Sequence, residues 1–338
     1  MSIKENLKKF KITDAQIDPF GYCNAKCWFC PVAYEGNPKE TAKHMPIDIL
    51  DKIFSELHKE KNKEDGVVDK NFHHFYTAHY NEVLLYKYLE EMLFLADYYG
   101  FKTMILSNGI NLTEKNVEIL KKYEHVLGGI NLNIPAFEEE LWVKRTNIKH
   151  KSFDVLKQNV ERTMRAFPMF VQNGAMSIGV NIPTERVLSH NGGIVELLEN
   201  APNIEFGDEG ESAKQVALAK KLFPGLNVFT VEDLVDRAAL LKTHRVLDNS
   251  KAINLVSDNK NKKVVGCNNG NNGRLYGWLH VNSLGQTFIC CQDFKFDYVF
   301  GDLQNSSLRD VWLGDEHANT LKKSLNEICK TCVYAIWQ

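Results

Sequence analysis

Apolar positions along this chain follow two periods in turn. Compact apolar runs at 11–18, 72–77, 101–107, 129–134, 175–182 and 227–231 read as strands. Between them the spacing lengthens to three and four. Met45-Pro46 opens a helix, since proline is tolerated in a first turn, and Ile49, Leu50, Ile53, Phe54 and Leu57 continue it. Leu85, Tyr88, Leu89, Met92, Ala96 and Tyr99 mark one face of the next helix, which Gly100 ends as a C-terminal cap. Thr113 caps a third helix, and 141–145 lies in the helix after the fourth strand. Residues 59–70, of mixed charge, read as a solvated helix end and loop, whereas 191–226 shows no clear order of elements. Strands alternating with helices imply parallel β-structure with right-handed crossovers. Sites in such folds gather at the C-terminal ends of the strands.

After residue 262 the text changes to short strands, glycine turns and cysteines. The expected division is 1–235, a connecting segment at 236–262, and a small α+β region at 263–338. Composition narrows the function classes. Lys and Arg total 41 against 43 Asp and Glu, so no charge excess argues for nucleic acid or an anionic membrane. The N-terminus lacks the apolar core of a signal peptide, and no apolar run approaches a membrane span. A cytoplasmic protein is expected. Its eight cysteines then suit metal ligation better than disulfides, and three lie in the first thirty residues while five follow residue 266.

Cys23, Cys27 and Cys30 stand in a C-x3-C-x2-C arrangement after the first strand. Three thiolates on one loop can hold three irons of a cubane and leave the fourth open to a small molecule. A structural zinc site prefers four closed ligands, often in two separated pairs. Cys267, Cys290, Cys329 and Cys332 form a second set of four, which either zinc or an iron–sulfur cluster would satisfy. Cys291 is left over; strand geometry points it away from Cys290.

The first motif, with Phe29 as its aromatic, resembles the signature of radical S-adenosylmethionine (SAM) enzymes. The resemblance implies a partial (β/α)6 barrel and a 4Fe–4S cluster on Cys23, Cys27 and Cys30. It also implies SAM on the open iron and a reducing partner such as flavodoxin or ferredoxin. By position in that family, Asn81 and Glu82 would meet the methionyl amine, although the usual double glycine is absent from His79-Tyr80-Asn81-Glu82. Ser107, in Ser107-Asn108-Gly109, resembles the family's Thr-Asn-Gly, although the same text would also be a plain turn. Asn133 matches a ribose or carboxylate contact, Arg145 a carboxylate-binding arginine, and Asn181 a further pocket residue. The C-terminal cysteines resemble the SPASM extension in its short twitch form. That extension implies one auxiliary 4Fe–4S cluster, and beside the first motif iron–sulfur is preferred to zinc.

Together these features imply an oxidising enzyme that abstracts a substrate hydrogen and passes an electron to the auxiliary cluster. Asp293 and Cys291 are the candidates for a base. A small-molecule substrate is preferred because only 22 residues precede Cys23, too few for a leader-peptide domain. Peptide oxidation, epimerisation or cross-linking is the alternative, and a non-catalytic iron–sulfur or zinc module is the reading from another class.

Overall fold

β1 (Asp14–Ile17) is the strand on which both cysteine regions converge. It pairs in parallel with β2 (His74–Tyr76) on one side and with β10 (Trp278–Val281) on the other. Ala15 therefore has Phe75 and Leu279 as its two neighbours in register. The computed structural model describes residues 2–149, 151–181, 186–188, 194–196, 210–230, 261–268, 273–332 and 334–338.

Beyond β2 the sheet continues through β3 (Lys102–Ser107), β4 (Leu127–Asn133), β5 (Met176–Val180) and β8 (Asn227–Thr230), each pair parallel. These six strands with their crossover helices are the expected partial TIM-like barrel. A short hairpin of β6 (Arg186–Leu188) and β7 (Ile194–Glu196) lies within the crossover from β5 to β8. Strands of such a barrel are covered by helices outside and by side chains within, and all five residues of β5 are buried.

The C-terminal region extends this sheet instead of building its own core. β10 hands on to β11 (Gln286–Phe288) and β12 (Val299–Asp302) in antiparallel fashion, which gives nine strands in one layer. A separate ribbon pairs β9 (Val264–Cys267) with β13 (Ala335–Trp337). The division expected near 263 thus separates chain segments whose strands share one sheet. Most of the expected connecting segment, 236–260, lies outside the described residues.

The first predicted helix forms over Ile47–Asn62 and buries Leu50, Ile53, Phe54 and Leu57. The second is shorter than its apolar stripe suggests. The helix proper spans Leu89–Tyr98, and Val83–Leu85 is a separate 3-10 turn capped by the Glu82 side chain. The reason is local: Glu82 is held at the end of β2 by partners off the helix axis. Gly100 takes the left-handed conformation expected of it, at φ +70°, and Thr113 caps Glu114–Lys122 by accepting from Asn116 N–H. Within the region without a clear order, the described residues include a regular helix, Glu211–Leu222, which buries Gln215 and Ala219. Among the described residues no helix is long and apolar enough to cross a membrane.

Candidate active site

The three N-terminal cysteines lie on a loop that is fastened at several points. Asn37 clamps Cys23 by accepting from its backbone N–H (2.9 Å) and donating to its carbonyl (3.1 Å). Lys26 and Trp28 donate their backbone N–H groups to the carbonyls of Thr146 and Arg145, at 2.8 and 3.1 Å. Gly21 lets the chain pass close to a neighbouring segment; a Cβ there would stand 1.8 Å from the Thr41 carbonyl oxygen.

The sulfurs face a common space. Burial pushes the Cys23 thiol up to about 12, with Glu82 and Cys30 adding to the rise. Burial pushes Cys27 up as well, followed by the influence of Cys23 and Cys30. Mutual influence of this kind requires proximity. All three line an open cavity of about 370 Å³, within the range of small-molecule sites.

The rest of the lining comes from the ends of the parallel strands. Glu82 is 1% exposed; one carboxylate oxygen accepts from Asn108 N–H at 2.9 Å and the other from Leu84 N–H at 3.3 Å. Burial still raises its pKa to about 7, against the pull of those hydrogen bonds. Its own backbone N–H donates to the Tyr22 carbonyl at 2.9 Å, joining the end of β2 to the cysteine loop. Asn81 lines the cavity too, donating to the Thr77 carbonyl and accepting from His79 N–H. Ser107 and Phe29 also line it. The Asn133 Oδ1 atom is buried without a hydrogen-bond partner, so a polar contact is available at that point of the wall.

Three expected residues sit elsewhere. Arg145 is buried away from the described lining; its guanidinium donates to the Pro135 carbonyl at 2.8 Å and lies 3.8 Å from Glu211. It supports the helix end that receives the cysteine loop. Asn181 is absent from the lining as well, and its carbonyl faces Trp28 Nε1 at 3.4 Å. Asp293 turns inward, accepting from the backbone N–H groups of Asp297 and Tyr298, both at 2.9 Å. Burial raises its pKa to about 6. A carboxylate committed to two backbone donors is a loop cap and is poorly placed to take a substrate proton.

Asn108, the middle residue of Ser107-Asn108-Gly109, lines the cavity; it donates to Asn24 at 2.8 Å and points Nδ2 at the Cys23 sulfur, 4.0 Å away. Two lining residues escape the sequence reading. Gln16 and Asn131 reach the cavity from inside strands. A signal for both exists: a carboxamide in a strand otherwise buried on both faces needs a polar interior to point into.

The second cysteine set surrounds its own small cavity. Cys267, Cys290, Cys329 and Cys332 line it, with Arg274 and Gln292. Burial pushes Cys290 up, and Cys291, Cys329 and Cys332 push it further. Burial likewise holds Cys329 at about 12, with Cys267 adding to the rise. Among the described residues no three Cys, His, Asp or Glu side chains are set to hold a single metal ion. Four thiols lining one space are a donor set that a 4Fe–4S cluster takes.

The two cavities are neighbours. Cys290 and Gln292 face the second, Cys291 between them faces the first, and Arg274 lines both. The Cys291 carbonyl accepts from Tyr80 OH at 2.7 Å and from His79 Nε2 at 2.8 Å. A carbonyl only accepts, so His79 Nε2 carries a proton and Nδ1 is left facing Asp18, 3.3 Å away.

The family description "Radical SAM superfamily" matches residues 17–186, half of the chain. The chain belongs to the radical SAM superfamily. A second description, an iron–sulfur cluster-binding domain named SPASM, matches residues 273–333. Radical SAM and SPASM domains work with SAM and 4Fe–4S clusters, and these are the cofactors of this radical SAM chain.

Solved structures share its fold at low identity. BtrN in complex with AdoMet and 2-DOIA is 16% identical with a TM-score of 0.52, covering 96% of this chain and 92% of that one. Streptococcus suis SuiB bound to S-adenosylmethionine is 15% identical with a TM-score of 0.55, covering 97% and 71%. Native anSMEcpe with bound AdoMet is 14% identical with a TM-score of 0.54, covering 95% and 86%. No curated protein matches the sequence.

Proposed function

We propose that this chain is an oxidising radical SAM enzyme acting on a small polar molecule. The observation that carries the reading is the shared wall: Arg274 and the Cys290–Cys291–Gln292 run separate the two thiol-lined cavities. A substrate in the first cavity would stand beside an electron acceptor in the second.

Cys23, Cys27 and Cys30 would hold the cluster that binds SAM, and Cys267, Cys290, Cys329 and Cys332 the auxiliary one. When bound and reduced, the first cluster with SAM supplies a 5′-deoxyadenosyl radical that takes one hydrogen atom from the substrate. A cluster on the second cysteine set would supply an acceptor for the remaining electron; with a proton released to solvent, two hydrogens would leave the substrate in all. Asn81 and Glu82 would orient the methionyl group, with Ser107, Asn108, Asn131 and Asn133 along the nucleoside or substrate. Phe29 and Trp28 wall the cysteine loop with rings packed edge to face at 5.6 Å, which helps to keep water from the reacting atoms.

The lining supports a small molecule rich in hydroxyl or amino groups. Gln16, Asn81, Asn108, Asn131 and Asn133 supply donors and acceptors without net charge. BtrN, similar in fold, is seen with AdoMet and 2-DOIA. The anaerobically reconstituted protein, given dithionite and SAM, should release 5′-deoxyadenosine, and Cys27→Ala should abolish that release. Product two hydrogens lighter than substrate supports dehydrogenation; unchanged mass with deuterium uptake from solvent would move the assignment to epimerisation.

A further inference from the structure

Among the described residues, no opposite charge meets Arg274. Its Nε and Nη1 atoms are buried and have no hydrogen-bond partner, and among the described residues no carboxylate pairs with it. The guanidinium carbon lies 4.0 Å from the Trp278 ring centroid, and Trp278 in turn stacks on Tyr76 at 5.3 Å. An aromatic face eases the burial of a cation without neutralising it. Arginine does not shed its proton in proteins, so the charge is permanent. The residue as a whole is half-buried, but two of its guanidinium nitrogens are shut off from water, and an anion beside them would offset that cost.

The backbone indicates which anion. Gly273 precedes Arg274 in the left-handed conformation, at φ +67°, and a Cβ on it would stand 2.5 Å from the Cys267 carbonyl oxygen and 3.3 Å from the Cys267 Cβ. The arginine is therefore rooted against one member of the second thiol set. Its side chain lines the cavity formed by that set, beside Gln292, whose Oε1 is likewise buried and unpartnered. Gln292 also directs its backbone N–H toward the Cys290 sulfur at 3.4 Å. Four thiolates around a 4Fe–4S core make a dianion, which becomes a trianion on accepting an electron.

We propose that Arg274 is the charge partner of the auxiliary cluster and raises its reduction potential, making it able to take the electron from the substrate radical left by hydrogen abstraction. The sign follows from Coulomb's law: a fixed positive charge stabilises the trianion more than the dianion. Cluster potentials respond to neighbouring charge, hydrogen bonds to sulfur and solvent exposure, and Arg274 acts through the first. Arg274 touches no reacting atom in this role. It is a positioning and tuning residue, and the inference rests on the oxidising reading given above.

The test is a potentiometric titration of the reconstituted holoenzyme, followed by electron paramagnetic resonance. The two clusters are told apart because added SAM perturbs only the signal of the one with an open iron. Arg274→Gln should weaken one-electron reduction of the auxiliary cluster about tenfold, a fall of about 59 mV. Arg274→Lys, which keeps the charge, should stay within about threefold of the parent. Equal potentials in all three proteins overturn the inference, as does an equal fall in both variants. If Arg274→Gln does not retain the auxiliary cluster, iron content decides instead. Retention by Arg274→Lys supports a need for charge, and loss from both overturns it. The two readings fail separately: wild-type protein that releases no 5′-deoxyadenosine sinks the proposed function while the potentials remain measurable. Unshifted potentials sink the role of Arg274 while release continues.

Discussion

The Tyr80 phenol donates to the Cys291 carbonyl at 2.7 Å across a sequence separation of 211 residues. With the His79 ring beside it on the same carbonyl, the end of β2 grips the loop that carries Cys290. Two regions that resemble separate modules in the sequence are thus held in one register at the point where their cavities adjoin.

Tyr80→Phe removes one of the two donors and keeps the ring packed edge to face on Phe294 at 4.7 Å. A buried neutral hydrogen bond contributes ~1 kcal/mol. Urea unfolding should show a loss of about that size, and the His79→Gln, Tyr80→Phe double variant should be non-additive because both donors share one acceptor. Strict additivity would mean the two contacts do not act together.

Glu82→Gln replaces two acceptor oxygens with one. Either Asn108 N–H or Leu84 N–H then loses its partner, at a cost of about 1–3 kcal/mol. Since Glu82 faces the cavity, SAM affinity should fall about tenfold or more, measured by anaerobic titration. An unchanged affinity would leave Glu82 with a purely structural part.

Asn37→Ala cuts both hydrogen bonds that clamp the Cys23 backbone, worth roughly 1–3 kcal/mol together. Iron retained at the first site should drop while the auxiliary site keeps its own. Iron and sulfide analysis with resonance spectra of both clusters checks this, and equal losses at the two sites would contradict it.

His317 introduces a pH dependence far from both cavities. Its ring stacks on Phe300 at 3.8 Å, Nδ1 lies 2.8 Å from the Trp312 carbonyl, and burial holds its pKa down to about 4. The unfolded chain takes up this proton near the ordinary value of 6.5, before the folded protein does. Stability from this residue is therefore full above about 6.5 and is lost progressively as pH falls toward about 4. Between pH 7.5 and 5.5 the loss is ~1 kcal/mol. Urea unfolding should show that slope in the parent and a shallower one in His317→Gln; parallel slopes would refute the assignment.

How far the sequence reached depended on the range of the interaction involved. The six parallel strands and the caps at Gly100 and Thr113 were legible because local spacing and backbone preference decide them. The C-x3-C-x2-C loop was legible because three ligands on one short loop are brought together by the chain itself. Leu85 and Tyr88 misled because an apolar stripe at helical spacing is also compatible with a 3-10 turn, and the turn forms where Glu82 must meet Asn108. The partner of Arg145 was not legible, because an arginine after the fourth strand has the same local text whether it faces a cavity or the Pro135 carbonyl.

By itself, then, the amino-acid order determined strands alternating with helices in a parallel α/β arrangement, a triple-cysteine loop at the end of the first strand and a second cysteine set downstream; the partial barrel was what the family resemblance of that loop implied. Only the tertiary structure decided that β10 would lie alongside β1, that Cys290 and Cys291 would face different cavities, and that Arg274 would be set between them with Nε and Nη1 buried and unpartnered among the described residues. The first group rests on contacts a few residues apart, which periodicity records. The second rests on pairings between residues more than two hundred positions apart, set by which buried polar atoms find partners when the sheet assembles, and no short window of sequence contains both sides of such a pair.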